Sequence, residues 1–219
     1  LAVFDDVDEF RCRVRNEQGD ECGSKNSEMG DHSCVCPVGC IRIRRHNEVR
    51  DETGRFLAGC GLPVRKEVVV PEWSRQHPTA PEKLQAALLD LEVSLSDGRR
   101  AYIDVCTYHP WSGKGAISTT GNAGTHEKSK HSRYPEMDLR GQRVGPVRLI
   151  PVAVTTLGGV GIEGLDGISG LIPATKSRKK RRIGMLIAKI GLSVVRTTAR
   201  SVLASARGYV SVSYTHLTL

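Results

Sequence analysis

The sequence predicts an α+β fold, and three patterns predict it. Five of the seven cysteines (Cys12, Cys22, Cys34, Cys36, Cys40) crowd into the first 40 residues, close to His32 and His46. Residues 88–95 alternate: Leu89, Leu91, Val93 and Leu95 share one face, and Leu88, Asp90, Glu92 and Ser94 share the other. That period of two belongs to a half-buried strand. Residues 183–207 set Ile183, Leu186, Ile187, Ile190 and Val194 at helical spacing opposite Lys189, Arg196 and Arg200, the stripe of an amphipathic helix. In chain order the elements read as knuckle, helix, strand, two-strand hairpin, helix, strand and helix.

Residues 1–40 are polar and poor in apolar side chains. Such a segment cannot bury enough surface to fold unaided, so it needs a metal or stays disordered. Residues 42–58 read as a helix with Ile43, Val49, Phe56 and Leu57 as apolar contacts, ended by Gly59 and Gly61. Residues 64–70 (Val-Arg-Lys-Glu-Val-Val-Val) are strand-like, and residues 71–81 hold three prolines and read as a loop. Ser96-Asp97-Gly98 supplies a turn into a second strand over residues 101–107. Residues 113–124 are loose and rich in Gly, Ser and Thr, and residues 125–134 form a short helix capped by Thr125. Residues 147–154 are a strongly apolar strand whose Pro151 marks an edge or a bulge. Residues 157–170 are glycine-rich, and residues 176–210 form a basic C-terminal helical segment. Residues 211–219, ending Ser213-Tyr-Thr-His-Leu-Thr-Leu219, read as translated adapter sequence, and Leu1 opens the chain without a methionine. Both ends are expected to be cut.

With 219 residues there is room for one ordinary domain and a small appendage. No apolar run reaches the roughly 18 to 20 residues that span a bilayer, so no membrane partner is expected. The net charge of +8, with runs at 42–45, 99–100 and 176–182, suits a polyanion, because each neutralised phosphate releases counterions. The odd cysteine count and its clustering beside histidines favour reduced thiols and metal over a disulfide framework.

The hairpin carries the most specific chemical argument. A three-residue loop with glycine last is a type I turn in which Gly98 takes the left-handed conformation and forms a bulge. Pairing Leu95 with Arg99 then carries the register back to Asp90 opposite Asp104. Side chains so opposed lie about 4.5 to 5.5 Å apart at Cβ, where two carboxylates repel. Mg²⁺, which takes one or two carboxylates plus waters and substrate phosphate, would relieve that repulsion. Two other readings stay open: both aspartates face solvent, or a two-residue Asp-Gly turn puts them on opposite faces.

Asp90, thirteen residues, and Asp104 resemble the PD…(D/E) signature of the restriction-like endonuclease at the C-terminal end of reverse transcriptases from site-specific non-LTR retrotransposons. Residues 96–105 (Ser-Asp-Gly-Arg-Arg-Ala-Tyr-Ile-Asp-Val) are similar to that family's second catalytic strand. Lys130-His-Ser-Arg-Tyr-Pro135 resembles its K-x3-Y helix, and Ile150-Pro-Val-Ala-Val-Thr-Thr-Leu-Gly158 its next strand. Upstream, Met29-Gly-Asp-His32-Ser-Cys-Val-Cys36-Pro and Arg44-Arg-His46-Asn47-Glu-Val-Arg50-Asp51 are similar to what precedes the nuclease there. The resemblance covers residues 19–160. It implies a restriction-endonuclease-like core over 48–175, with a central mixed sheet flanked by helices in αβββαβ order, after a Cys/His zinc knuckle over 1–47.

The resemblance further implies that Asp90 and Asp104 ligate the catalytic Mg²⁺, that Lys130 polarises the phosphate or water, and that Glu67 is the early acid. The reaction implied is nicking of target DNA to prime reverse transcription. The partners implied are DNA, the element's RNA and the polymerase portion of the same polyprotein, in the nucleus. Leu89 and Thr155 depart from the family's proline and glutamate. In the knuckle Gly19 stands where a cysteine is expected, so Cys22, His32 and Cys36 are joined by His46 or Cys34 as candidate Zn²⁺ ligands, and Cys12 could serve only by looping back. His46 also reads as a helix-start histidine, or as a phosphate contact beside Arg44 and Arg45. Lys179, Lys180 and Arg181 lie in a run that reads as a nucleic-acid or nuclear-targeting patch. Trp73 and Trp111 fall in expected loops, either packed or free to stack on bases. Two alternatives to the nuclease are a non-catalytic nucleic-acid-binding module and a degraded remnant of such an element.

Overall fold

The alternation in residues 88–95 builds the middle of the molecule. The computed structural model describes residues 11–16, 18–27, 30–77, 80–110, 121–134 and 147–207. Among them, nine elements follow in order: α1 (Asp31–Val35), α2 (Ile41–Gly59), β1 (Val64–His77), β2 (Ala80–Ser94), β3 (Arg100–Tyr108), α3 (Gly121–Arg133), β4 (Val147–Thr155), α4 (Ile162–Leu171) and α5 (Lys176–Arg207). The strands form one mixed sheet in the order β1-β2-β3-β4, antiparallel as far as β3, with β4 parallel to β3. The chain is α+β.

The register of the central hairpin is the one the turn residues dictate. Leu95 N–H donates to Arg99 O at 2.9 Å, Gly98 adopts φ 79°, and Leu91 pairs with Ile103. On one side Leu91, Val93, Ala101, Ile103 and Val105 pack with Val49 and Leu57 of α2, Ile168 of α4, and Leu186, Ile190 and Val194 of α5. A second cluster joins Val68, Val70, Trp73, Leu89, Tyr102, Tyr134 and Leu149. β3 is buried along most of its length because α2 packs on the face of Ala101, Ile103 and Val105 while Tyr102 on the other face joins the second cluster. Leu91 is fully buried between β1, β3 and Gly54 of α2. Its truncation to alanine leaves a cavity that the sheet cannot collapse, and Leu91→Ala is expected to cost about 2–5 kcal/mol in denaturant unfolding.

Several elements depart from the expected boundaries. Residues 71–77 and 80–81 are strand rather than loop: β1 continues to His77 and β2 starts at Ala80, with register shifts between Val70 and Arg75 and between Gln76 and His77. Pro71 is tolerated because β1 is an edge strand and the pairing beyond Val70 is irregular. α3 begins at Gly121, so Thr125 lies inside the helix rather than capping it. The glycine-rich stretch contains α4. α5 runs 32 residues and takes the basic run into its first turns. The knuckle boundary at residue 47 falls within α2, which passes through it without a break. Trp111, residues 113–120, Pro135 and the tail 211–219 lie outside the described residues.

Candidate functional site

The β2–β3 ladder ends at Leu91 and Ile103, and one residue further along sit Asp90 and Asp104. There the Asp90 carboxylate takes the place of a main-chain partner: its Oδ2 accepts the Val105 N–H at 2.6 Å. The two carboxyls lie close enough that each perturbs the ionisation of the other. α3 packs along β4 and delivers Lys130, whose Nζ lies 2.7 Å from Asp104 Oδ2. From the other direction α2 delivers His46, whose Nε2–H donates to Asp90 Oδ1 at 2.8 Å. Asp90, Asp104 and Lys130 thus meet, each largely shielded from solvent.

The pair is electrostatically unequal. Burial pushes the Asp104 carboxyl up to about 6, with the Asp90 charge adding to the rise and the Lys130 ammonium opposing it. Burial acts the same way on Asp90, but the hydrogen bonds from His46 and from Val105 outweigh it, and that carboxyl lies below its usual range. Without a cation, a proton therefore resides on Asp104 in mildly acidic solution and leaves near neutrality. Two converging carboxylates, one of them reluctant to ionise, form a donor set that a small divalent cation relieves.

Glu67 lies beside Asp90 in the β1–β2 register, between the Lys66–Leu91 and Val68–Leu89 pairs. It stands in β1 with φ 53°, a conformation few non-glycine residues adopt, and its carboxylate pairs with Arg50 of α2. Arg50 and Lys66 also bind Asp51, so Glu67 belongs to a network of ion pairs between α2 and β1. Thr155 is buried at the end of β4 and its Oγ1 accepts the N–H of Gly159 at 2.9 Å; it shapes a turn. Arg45 is not a phosphate contact: it is buried and donates to Cys34 O at 2.9 Å. Arg44 is exposed at a groove between α2 and α5. Arg178, Lys180 and Arg181 are exposed on the first turns of α5, with Lys179 half-buried. Trp73 is buried in β1 rather than free in a loop, with ring centroids 5.7 Å from Tyr102 and 5.6 Å from Tyr134, which removes it from base stacking.

A second site gathers at the N-terminal segment. Cys12, Cys22, His32 and Cys36 bring their donor atoms within 4.8 Å of one another and could hold a metal ion. Cys12 reaches the others because residues 11–25 fold back on themselves. Gly19 turns the chain with φ 89°, Cys22 N–H donates to Val14 O, and Cys12 N–H donates to Ser24 O. His32 comes from α1 and Cys36 from the residue that ends it. Cys12 and Cys36 sulfurs are 3.6 Å apart, and Cys22 Sγ lies 3.3 Å from His32 Nε2. Burial and the neighbouring Cys12 push the Cys36 thiol far up. Burial also resists ionisation of Cys22, but hydrogen bonds from the hydroxyl and N–H of Ser24 prevail and lower it. His32 is lowered by burial, which keeps the imidazole neutral as a ligand must be.

The fourth position is therefore filled by Cys12, not by His46 or Cys34. His46 points to Asp90 instead, and Cys34 is buried with its carbonyl on Arg45. The segment is tied to the rest of the chain at several points. Ser201 donates to Ser33 O, Arg13 N–H to Ser205 O, and Asp31 accepts from His109 Nε2 at 2.9 Å. His109 follows β3 directly and was not indicated by any motif. No protein-family model matches the chain, and no curated protein matches it.

Proposed function

We propose that the chain is a metal-dependent DNA endonuclease module of a retrotransposon-encoded polyprotein, built on a restriction-endonuclease-like core. Its reaction nicks target DNA to leave the 3′-hydroxyl that primes reverse transcription. The observation that carries this reading is the meeting of Asp90, Asp104 and Lys130 at the end of the β2–β3 ladder. The succession α2-β1-β2-β3-α3-β4, with β4 parallel to β3, supports it, being the αβββαβ order that the resemblance implies.

Asp90 and Asp104 are the residues that would hold Mg²⁺, which supplies Lewis acidity and a water acidic enough to attack a phosphodiester. Lys130 keeps Asp104 ionised near neutrality and brings an ammonium to a scissile phosphate oxygen. The basic first turns of α5, with Lys179, Lys180 and Arg181, and Arg44 on α2 neutralise flanking phosphates without reading sequence. Three sulfurs and one imidazole are the donor set of structural zinc, so Zn²⁺ is assigned to Cys12, Cys22, His32 and Cys36. The polymerase portion of the polyprotein, the element's RNA and a nuclear site of action complete the proposal.

Nicking of supercoiled plasmid in Mg²⁺, parent against Asp104→Ala, tests it. Nicking by the parent alone is the expected result. Equal nicking by both removes the nuclease reading, and a parent that binds DNA in a salt-dependent way without nicking it makes the chain a binding module.

A further inference from the structure

α2 carries a stripe of side chains toward the sheet. Val49, Arg50, Thr53 and Leu57 are buried at helical spacing, and His46 lies one turn earlier on the same stripe. The helix is fixed at that end by the neighbour of His46: Arg45, fully buried, donates to Cys34 O beside the Cys/His cluster. The backbone of α2 at His46 cannot shift without moving Arg45. Its Nε2–H meets Asp90 Oδ1 at 2.8 Å while Val105 N–H occupies Oδ2 at 2.6 Å. One donor sits on each oxygen, one from the helix and one from the strand, and together they fix the plane of the carboxylate.

We propose that His46 is the positioning residue of the cation centre, holding the Asp90 carboxylate in the orientation that ligates a divalent metal. This rests on the nuclease reading of Asp90 and Asp104. A carboxylate free to rotate loses rotamer entropy on ligation, and one facing a second carboxylate without a donor turns away or takes up a proton. With His46 and Val105 in place, Asp90 stays pointed, and each oxygen keeps a lone pair for the metal. Such partners of metal ligands typically change affinity or activity by about 10–100-fold when removed. His46 touches neither the phosphate nor the cation in this role. It acts through Asp90.

The zinc-loaded chain, its thiol site filled, is titrated with Mn²⁺ by electron paramagnetic resonance, and nicking is followed against Mg²⁺ concentration. His46→Ala is expected to weaken Mn²⁺ binding and to raise the Mg²⁺ concentration for half-maximal nicking by about 10–100-fold, with the rate at saturating Mg²⁺ largely kept. His46→Gln, whose amide can donate from a similar position, is expected to recover most of the loss. His46 is partly exposed, and thermal unfolding of both variants identifies a loss due to misfolding. Unchanged Mn²⁺ affinity in folded His46→Ala overturns the proposal, as does a Gln variant no better than Ala. A parent that binds no more Mn²⁺ than Asp104→Ala overturns the nuclease reading itself, and the role of His46 with it.

Discussion

Asp104→Ala is expected to nick DNA in Mg²⁺ at least about 10³-fold more slowly than the parent chain, a loss of several kcal/mol of transition-state stabilisation. The side chain is buried midway along β3, is ion-paired with Lys130, and faces Asp90. Its removal takes away half of the carboxylate pair and leaves the Lys130 ammonium opposite an alanine. Gel assays of plasmid nicking over a range of Mg²⁺ concentrations measure the effect, and a loss that extra Mg²⁺ fully restores would mean that Asp104 serves binding alone. The pH dependence follows from the raised carboxyl. Asp104 must be ionised to take a cation, so nicking at limiting Mg²⁺ falls as pH drops through about 6. In Lys130→Ala the lowering influence of the ammonium is gone, and the acid limb of the profile moves to higher pH. The same carboxyl acts on metal-free stability with the opposite sense. Its folded value lies above the unfolded one, so its stabilisation is complete below the ordinary carboxylate range and is lost as pH rises through about 6.

Removal of the metal from the thiol site is expected to unfold the N-terminal segment while the sheet persists. The segment's own apolar cluster is small, with Cys12, Val14 and Cys36 at its centre. Little hydrophobic stabilisation remains once the donors separate, whereas structural zinc binds small domains with about 10–16 kcal/mol. Without a cation, Cys12 and Cys36 face each other at 3.6 Å in a buried site that resists ionisation of Cys36. Limited proteolysis within residues 11–36, before and after a strong chelator or in Cys36→Ser, measures the outcome. Equal protection in both states would remove the metal from the account of this segment. The loss should also be felt at α5 and at the end of β3, since Ser201 and His109 bond to residues adjoining His32.

The central hairpin was legible because its turn is decided by three residues: Gly98 accepts the left-handed backbone, and Leu95 and Arg99 then close the register. α4 was not, because a glycine-rich stretch carries little helical signal in sequence. In the molecule the glycines are a packing device. A Cβ on Gly164 would lie 2.8 Å from Pro151 O, and one on Gly167 would lie 2.6 Å from Ile150 Cγ2. The helix needs them in order to lie on β4. The apolar stripe of α5 begins only at Ile183, whereas the helix begins at Lys176, because lysine and arginine are good helix formers without any apolar period.

At the sites, Asp90, Asp104 and Lys130 could be named from spacing and resemblance, whereas their partners could not. Cys12 depends on a turn at Gly19 that brings residues distant in sequence together, and ligand spacing alone favoured nearer candidates. His46 was read as a ligand or a phosphate contact because a histidine beside cysteines invites it. Its position on the buried stripe of α2, one turn before Val49, was the available signal. The partner of Glu67 was equally invisible: an acid in an early strand shows none in sequence, and in the structure its carboxylate pairs with Arg50.

Pro151 gives the sheet a boundary as well as a shape. Ala153 O and Thr155 N both bond outward, to Gly161 and Gly159, so the period of two points the backbone of Pro151 outward too. An incoming strand from another molecule would find no N–H there, and the loop after β4 already occupies the next two outward-facing positions. Growth of the sheet by edge-to-edge polymerisation is blocked on this side by a missing donor and a self-bonded loop, which leaves β1 as the margin where crowded copies of the chain could stick together.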